Sequence, residues 1–286
     1  KEEYVMQATK TSLDSYVSVL MMENKVVTKK VLERAGISVP GGYEYTSPEA
    51  GMADYRLYAG KPVVIKPKST NFGLGITILK HNYDETDFKA ALQIAFEHDN
   101  TVLIEKFIPG REFRIFIIND EVVGILHRVP ANVTGDGVLN IGQLIDRKNE
   151  DPLRGKGYRT PLEKIRKGRE EEMFLKQQGM DFNTVPKERE VVYLRENSNI
   201  STGGDSIDFT DDIDDSYKAI AVEAAKALNV KITGLDMMIQ DIHAPATPDN
   251  YAIIEMNFNP AIHIHCYPFK GKNRHLNHKM IKALGF

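Results

Sequence analysis

The sequence predicts an α+β fold, and three observations carry that prediction. Strand-length apolar runs and helical patterns are mixed, without the regular alternation that builds a doubly wound parallel sheet. Residues 114–128 read as a hairpin turning at Asn119-Asp120, a connection that antiparallel strands use. Two apolar runs near the C-terminus, 234–239 and 253–260, read as strands with carboxylates set into them.

The elements follow in order. Residues 1–22 are mixed and weakly helical, a lead-in segment. Residues 24–36 predict a helix with Val27, Val31, Leu32 and Ala35 on one face and Gly36 as its C-cap. Pro40-Gly41-Gly42 is a loop. Val63-Val64-Ile65 is a buried strand ending at Lys66, residues 76–79 form a second strand, and the glycine-rich stretch 69–75 joins them. Residues 84–97 predict a helix with Phe88, Leu92 and Phe96 four apart, and 102–104 a strand running into Pro109-Gly110. The stretch 146–190 is charged and loop-rich, with a helix near 169–178. Residues 212–228 are the clearest helix: an acidic first turn suits the helix dipole, and Ile213, Tyr217, Ile220, Ala224 and Leu228 make its apolar stripe.

The chain has 286 residues, enough for one large domain or two lobes. Its apolar content of 42% and charged content of 27% are those of a soluble globular enzyme. A net charge of −3 gives no field that points to nucleic acid. No apolar run is long enough to span a membrane and there is no signal peptide. Cys266 is the sole cysteine, which excludes an internal disulfide and fits a cytoplasmic location. The first residue is Lys1, which points to a processed product or a piece of something longer.

The candidate chemistry begins with Asp236, Glu255 and Asn257. Glu255 and Asn257 are two apart, so on a strand they face the same way. All three offer hard oxygen ligands, which suit Mg²⁺ and not zinc. Two core strands with salt-bridged acids would leave the same pattern. In the stretch 69–75, Ser69, Asn71, Gly73 and Gly75 are small or polar and let backbone N–H groups cradle phosphate. It is not a P-loop, and a plain glycine hairpin reads alike. Lys66, just before it, aims a point charge at the same space. Glu105, Lys106 and Ile108 come off a strand whose free edge can read an adenine, and Glu112 follows within reach of ribose hydroxyls. His263 and His265 are expected on one strand face beside the metal strand. With Cys266 they invite a zinc reading, rejected because only one thiol is present; Cys266 reads as a small buried residue. The basic run 164–167 reads as a solvated face.

Taken in order, these pieces resemble the ATP-grasp superfamily of ligases. The resemblance runs from about Glu23 to the end and rests on Asn24, Lys25, Thr28 and Lys29, then Lys66, the glycine loop, Glu105 to Glu112, Asp236, Glu255 and Asn257. A second layer, His127 to Gly137, Leu144 to Asp146, Asp151-Pro152 and Leu194 to Gly204, is similar to the branch shared by cyanophycin synthetases and bifunctional glutamate–cysteine ligase/glutathione synthetases. The ending, Met256 to Pro260 with His263, His265 and Pro268-Phe269, looks more like the glutathione-synthesising members, in their C-terminal portion.

The resemblance implies two α+β lobes clasping ATP, a smaller one over 23–104 with the glycine loop and a larger one over 105–286 with the metal and substrate sites. It implies an ATP-dependent carboxylate–amine ligase working through an acyl-phosphate, joining γ-glutamylcysteine to glycine. It implies that Lys25 and Lys66 meet the phosphates or adenine edge, Glu105, Lys106 and Ile108 the adenine, and Glu112 the ribose. Asp236, Glu255 and Asn257 would carry two Mg²⁺ ions, or Mn²⁺. Arg128 and Arg195 are the candidates for the transferring phosphoryl or the substrate carboxylates, since a guanidinium grips two oxygens. Arg195, Asn197, Asn199, Ser201 and Thr202 form a candidate substrate loop. An upstream glutamate–cysteine ligase domain and homo-oligomers belong to the same expectation. Two alternatives stay open: an amide ligase of the cyanophycin synthetase type, and an ATP-binding module without turnover.

Overall fold

Polar caps start the N-terminal helices. The Ser15 hydroxyl accepts from the Ser18 N–H ahead of α1 (Tyr16–Glu23). The Asn24 side chain accepts from the N–H groups of Val26 and Val27 ahead of α2 (Lys25–Arg34), and Gly36 follows at φ +75°. This computed structural model describes residues 9–69, 74–80, 82–157 and 159–286. The chain continues with β1 (Gly42–Tyr45), α3 (Pro48–Ala53), α4 (Tyr55–Tyr58), β2 (Val63–Pro67), β3 (Thr77–Leu79), α5 (Glu85–Phe96) and β4 (Val102–Lys106). Then come β5 (Arg111–Ile118), β6 (Glu121–Val129), β7 (Asn132–Thr134), α6 (Ile141–Lys148), β8 (Arg154–Gly155), β9 (Leu162–Glu163) and α7 (Arg169–Gln177). The last elements are β10 (Val191–Tyr193), β11 (Asp205–Asp208), α8 (Asp215–Ala227), β12 (Ile232–Ile239), β13 (Tyr251–Asn257), α9 (His263–Cys266) and α10 (Leu276–Ala283). Between β5 and β6, Asn119 and Asp120 hold φ of 49° and 65°, the pair of positive values that a tight two-residue hairpin requires.

The chain divides into two compact units. The first comprises Lys1–Arg111, Ile115–Val122 and Asp212–Pro260. It contains an antiparallel sheet of order β1-β4-β2-β3, in which Val64 lies opposite both Glu105 and Ile78. Val63 and Ile65 on β2, Val102 and Ile104 on β4, and Phe88 and Leu92 on α5 make its core. Phe88 is fully buried, with the rings of Tyr55, Tyr58 and Tyr83 centred 5.2, 5.7 and 6.2 Å away. The same unit holds β12 and β13, paired antiparallel along their length.

The second unit comprises Glu112–Arg114, Val123–Asp211 and Ala261–Phe286. Here β6 pairs with β11 and β7 with β10, both antiparallel. A core of Val133, Ile141, Leu144, Ile145, Leu175 and Val192 packs α6 and α7 against the β7–β10 pair. The sequence reading passed over α6. Its start is written locally: Asn140 accepts from the Gln143 N–H and Gln143 returns a bond from the Asn140 N–H, and Ile141, Leu144 and Ile145 share the buried face.

Two further expectations change. The buried positions of α2 are Thr28 and Leu32, while Val27 and Ala35 are exposed. The face is set by what lies against it: the Thr28 hydroxyl donates to the Met21 carbonyl at 2.6 Å, which draws that edge inward. The segment with His263 and His265 is the short helix α9 and not a strand, so the two imidazoles point differently: His263 is exposed and His265 fully buried. Cys266 is buried, as expected. Among the described residues no helix is long and apolar enough to cross a membrane.

Candidate active site

In the first unit, α2, β2 and β4 gather three lysines, two of them paired with one carboxylate. Lys25 and Lys29 are one helical turn apart on α2, a spacing that stacks them on one face. Lys66 lies in the buried stretch of β2, and Glu105 lies near the end of β4, 4% exposed. Glu105 forms an ion pair with Lys29 through one oxygen and with Lys66 through the other, the latter at 2.9 Å. Burial alone would raise the Glu105 pKa, but Lys66 and Lys29 outweigh it and hold it below the usual carboxylate range. Burial, and then repulsion from Lys66, lower Lys29 to about 8. Burial lowers Lys25 as well; Glu255 opposes that shift and Lys66 adds to it. This is a crowded cationic cluster, and an anion arriving there would relieve repulsion among the ammonium groups. The sequence reading brought Lys25, Lys66 and Glu105 forward and left Lys29 out of the site; its signal was the four-residue spacing from Lys25.

The glycine loop starts on a fixed foot. The Ser69 N–H donates to the Asp99 carboxylate at 2.7 Å, and Asp99 also accepts from the Thr101 N–H at 3.1 Å. At its other end Gly75 has φ +75°, and a Cβ there would come within 2.7 Å of both Pro67 Cγ and His98 Cδ2. Asn71 and Gly73 lie outside the described residues. At the end of β4 the Lys106 side chain is exposed while its N–H donates to the Gly41 carbonyl at 2.8 Å; Ile108, beyond it, is half-buried.

The metal candidates are on β12 and β13. Asp236 lies opposite Glu255, and the register shifts between Asp236 and Met237. The Asn257 amide donates to Asp236 at 3.5 Å, and Lys25 Nζ is 3.8 Å from Glu255. Asp236 is 1% exposed, whereas the Glu255 side chain is 33% exposed, so the pair runs from the core to the open side. Among the described residues no group of three or more His, Cys, Asp or Glu is placed to hold a metal. The candidate donors are two carboxylates and an amide, all hard oxygens, so a metal there would need water or phosphate for its remaining positions. That composition fits Mg²⁺ held with a nucleotide.

The second unit carries the arginines. Arg128 on β6 pairs with one oxygen of Glu112, and the other accepts from the Ser198 hydroxyl at 2.6 Å. The expected phosphoryl arginine and the expected ribose acid thus hold each other. Arg195 is gripped by two acids from the first turn of α7: its Nε donates to Glu171 at 2.7 Å, and Glu170 pairs with its Nη2. Glu171 is itself buried and accepts from the Gly168 N–H that opens the helix. The stretch after Arg195 bonds to itself. Thr202 donates to the Asn197 side chain and to the Asn199 carbonyl, both at 2.9 Å. Ser201 sits in a 3₁₀ turn (Ile200–Thr202) that closes on Gly203, φ +94°. This is an ordered polar loop. Three residues that the sequence reading passed over tie down its far end: Lys148, Arg154 and Asp205, an ion cluster between residues 51 and 57 positions apart with no local pattern to reveal it.

Comparisons with known proteins bear on the fold and the family. A family model described as D-ala D-ala ligase C-terminus matches residues 44–140. The glutathione biosynthesis bifunctional protein GshAB of Desulfotalea psychrophila is 63% identical over 100% of this chain. A crystal structure of a bifunctional glutathione synthetase from Pasteurella multocida superposes with a TM-score of 0.75 at 49% identity, covering 99% of this chain and 39% of that one. D-alanine–D-alanine ligase from Bacillus anthracis, at 20% identity, superposes with a TM-score of 0.51 over 85% of this chain and 59% of its own. The chain spans about 37% of the length of the GshAB relative. It therefore has the α+β ATP-grasp fold and resembles, along its whole length, a segment of the bifunctional glutathione biosynthesis proteins.

Proposed function

We propose that this chain is the glutathione-synthesising part of a bifunctional protein, an ATP-dependent ligase that joins γ-glutamylcysteine to glycine. The observation that carries the ligase reading is the opposed pair Asp236 and Glu255, with Asn257, in the same unit as the lysine cluster. The substrate reading rests on the names of relatives at 49–63% identity.

A carboxylate oxygen of γ-glutamylcysteine attacks the γ-phosphorus of ATP, and the bond to the ADP oxygen breaks. The glycine nitrogen then attacks the acyl carbon and loses a proton as phosphate leaves. No protein nucleophile is needed, so the chain contributes position and charge. Lys25, Lys29 and Lys66, with the loop from Ser69 through Asn71 and Gly73 to Gly75, bind the phosphates. Glu105, Lys106 and Ile108 border the adenine. Glu112 takes the ribose, giving up Arg128 to the phosphoryl oxygens as it does so. Arg195, Asn197, Asn199, Ser201 and Thr202 receive the peptide acid. Asp236, Glu255 and Asn257 would hold two Mg²⁺ ions, with Mn²⁺ a substitute, and metal bound there neutralises phosphate charge and polarises the transferring group. A glutamate–cysteine ligase region elsewhere in the full protein supplies γ-glutamylcysteine, and a reducing cytoplasm suits both that thiol substrate and the free Cys266.

The test is phosphate release from ATP with γ-glutamylcysteine, glycine and metal omitted in turn, on this chain alone and joined to a glutamate–cysteine ligase region. Release that needs all components is expected. Release indifferent to γ-glutamylcysteine, or faster with another peptide acid, rejects the substrate and favours a cyanophycin synthetase-like ligase. Nucleotide binding with no amine-dependent ADP formation in either form rejects catalysis.

A further inference from the structure

We propose that Arg154 is a positioning residue that sets the conformation of the polar loop 197–204 and thereby the affinity for the peptide acid; this rests on the substrate role given to that loop above. The loop stands on two feet, and each is an arginine–carboxylate pair. At the first, Arg195 is held by Glu171, itself fixed to the opening of α7. At the second, the Arg154 side chain is 0% exposed and reaches three acceptors at once. Its Nη1 donates to the Gly203 carbonyl at 3.0 Å and to the Glu163 carbonyl at 2.8 Å, and its Nη2 pairs with Asp205. The other Asp205 oxygen accepts from Lys148 at 2.7 Å and from Asn132 at 3.0 Å. Phe269 presents its ring to both cations, 5.2 Å from Lys148 and 5.5 Å from Arg154.

The backbone at this foot is closely packed, with no room for a side chain at either glycine. Gly203 is in the left-handed region, and a Cβ there would sit 2.8 Å from Ile165 Cα. A Cβ on Gly204 would meet the Asn199 and Val129 carbonyls at 2.8 Å. The Arg154 fork is thus the one side chain among the described residues that bonds the loop backbone at Gly203 and the buried Asp205 together. The rigid, planar guanidinium fixes the relative directions of its three acceptors, which a lysine on a flexible stem placed at 154 would not reproduce. The cluster itself is closed to ligands. Its product is the shape of the half-buried turn that offers Asn197, Asn199 and Thr202.

The experiment is steady-state kinetics and thermal unfolding of Arg154→Lys and Asp205→Asn in the full protein. A loop moved by about an ångström loses binding and alignment of its own substrate, so KM for γ-glutamylcysteine should rise about tenfold or more in both variants, with KM for ATP unchanged. Arg154→Lys keeps the charge; it should melt near the parent yet still show the defect, and Asp205→Asn decides the matter where the lysine variant fails to fold. Parent-like KM for γ-glutamylcysteine in a folded variant, or equal rises in both KM values, overturns the inference. A parent protein that does not use γ-glutamylcysteine overturns the functional reading instead, which separates the two failures.

Discussion

Asp236 on β12 faces Glu255 on β13 across an antiparallel pair, and the strand register slips immediately after Asp236. Two carboxylates directly opposed in a sheet repel. A bulge re-aims side chains, and such irregularities gather at functional sites. A cation bound between the two carboxylates would offset that repulsion, which makes the assignment testable without turnover.

Asp236→Asn and Glu255→Gln should each lower kcat by about a hundredfold or more, since Lewis-acid and charge-neutralising roles supply several kcal/mol. Both variants should still unfold cooperatively in the absence of metal, so that lost turnover is not lost folding. The parent should gain thermal stability when Mg²⁺ and ATP are added together, and the variants should gain far less. Near-normal rates in Glu255→Gln at saturating Mg²⁺ would remove the metal assignment.

Lys29 gives a pH signature on the alkaline side. Its folded pKa is about 8, below its ordinary 10.5. The unfolded chain therefore binds more protons between those values, and this group's contribution to stability rises as pH climbs through that window. Bound phosphate favours the charged form, so ATP affinity should weaken above about pH 8 as Lys29 loses its proton. Lys29→Met should flatten both profiles. Calorimetric ATP titrations from neutral to alkaline pH, parent against variant, check this, and superposable curves would contradict it.

His265 gives the complementary signature on the acid side. It is fully buried, and burial is the leading cause that lowers its pKa to about 3, with Arg114 adding to the shift. The unfolded imidazole takes up a proton near 6.5, so stability from this residue is present above that value and is lost as pH falls toward 3. His265→Leu should melt less steeply with falling pH across that range than the parent. A Cβ added at Gly124 would come 2.8 Å from His265 Nδ1, so the ring is closely packed there. Equal acid slopes for parent and variant would show that other groups control the transition.

Local sequence was enough to place elements whose cause lies within a few residues. Asn24 and Gly36 bracket α2, Asn119-Asp120 turn the hairpin, the acidic first turn and 3.6-residue stripe mark α8, and Asp236, Glu255 and Asn257 stand out in the apolar strands. Each rests on a cap, a turn or a period that neighbouring side chains create unaided. Pairing between distant residues has no such mark. Glu105 meets Lys29 from 76 positions away, Ser198 meets Glu112 from 86, and Arg154 meets Asp205 from 51. The sequence offered Glu105 and Glu112 as nucleotide contacts and Arg195 as a substrate contact or a surface salt bridge, with no partner named for any of them. In the folded chain each is neutralised by a partner, because burying a charge is tolerable only beside its opposite. The same logic turned α2 so that Thr28 and not Val27 faces inward, and wound His263–Cys266 into a helix: the buried side of an element is decided by the surface that covers it.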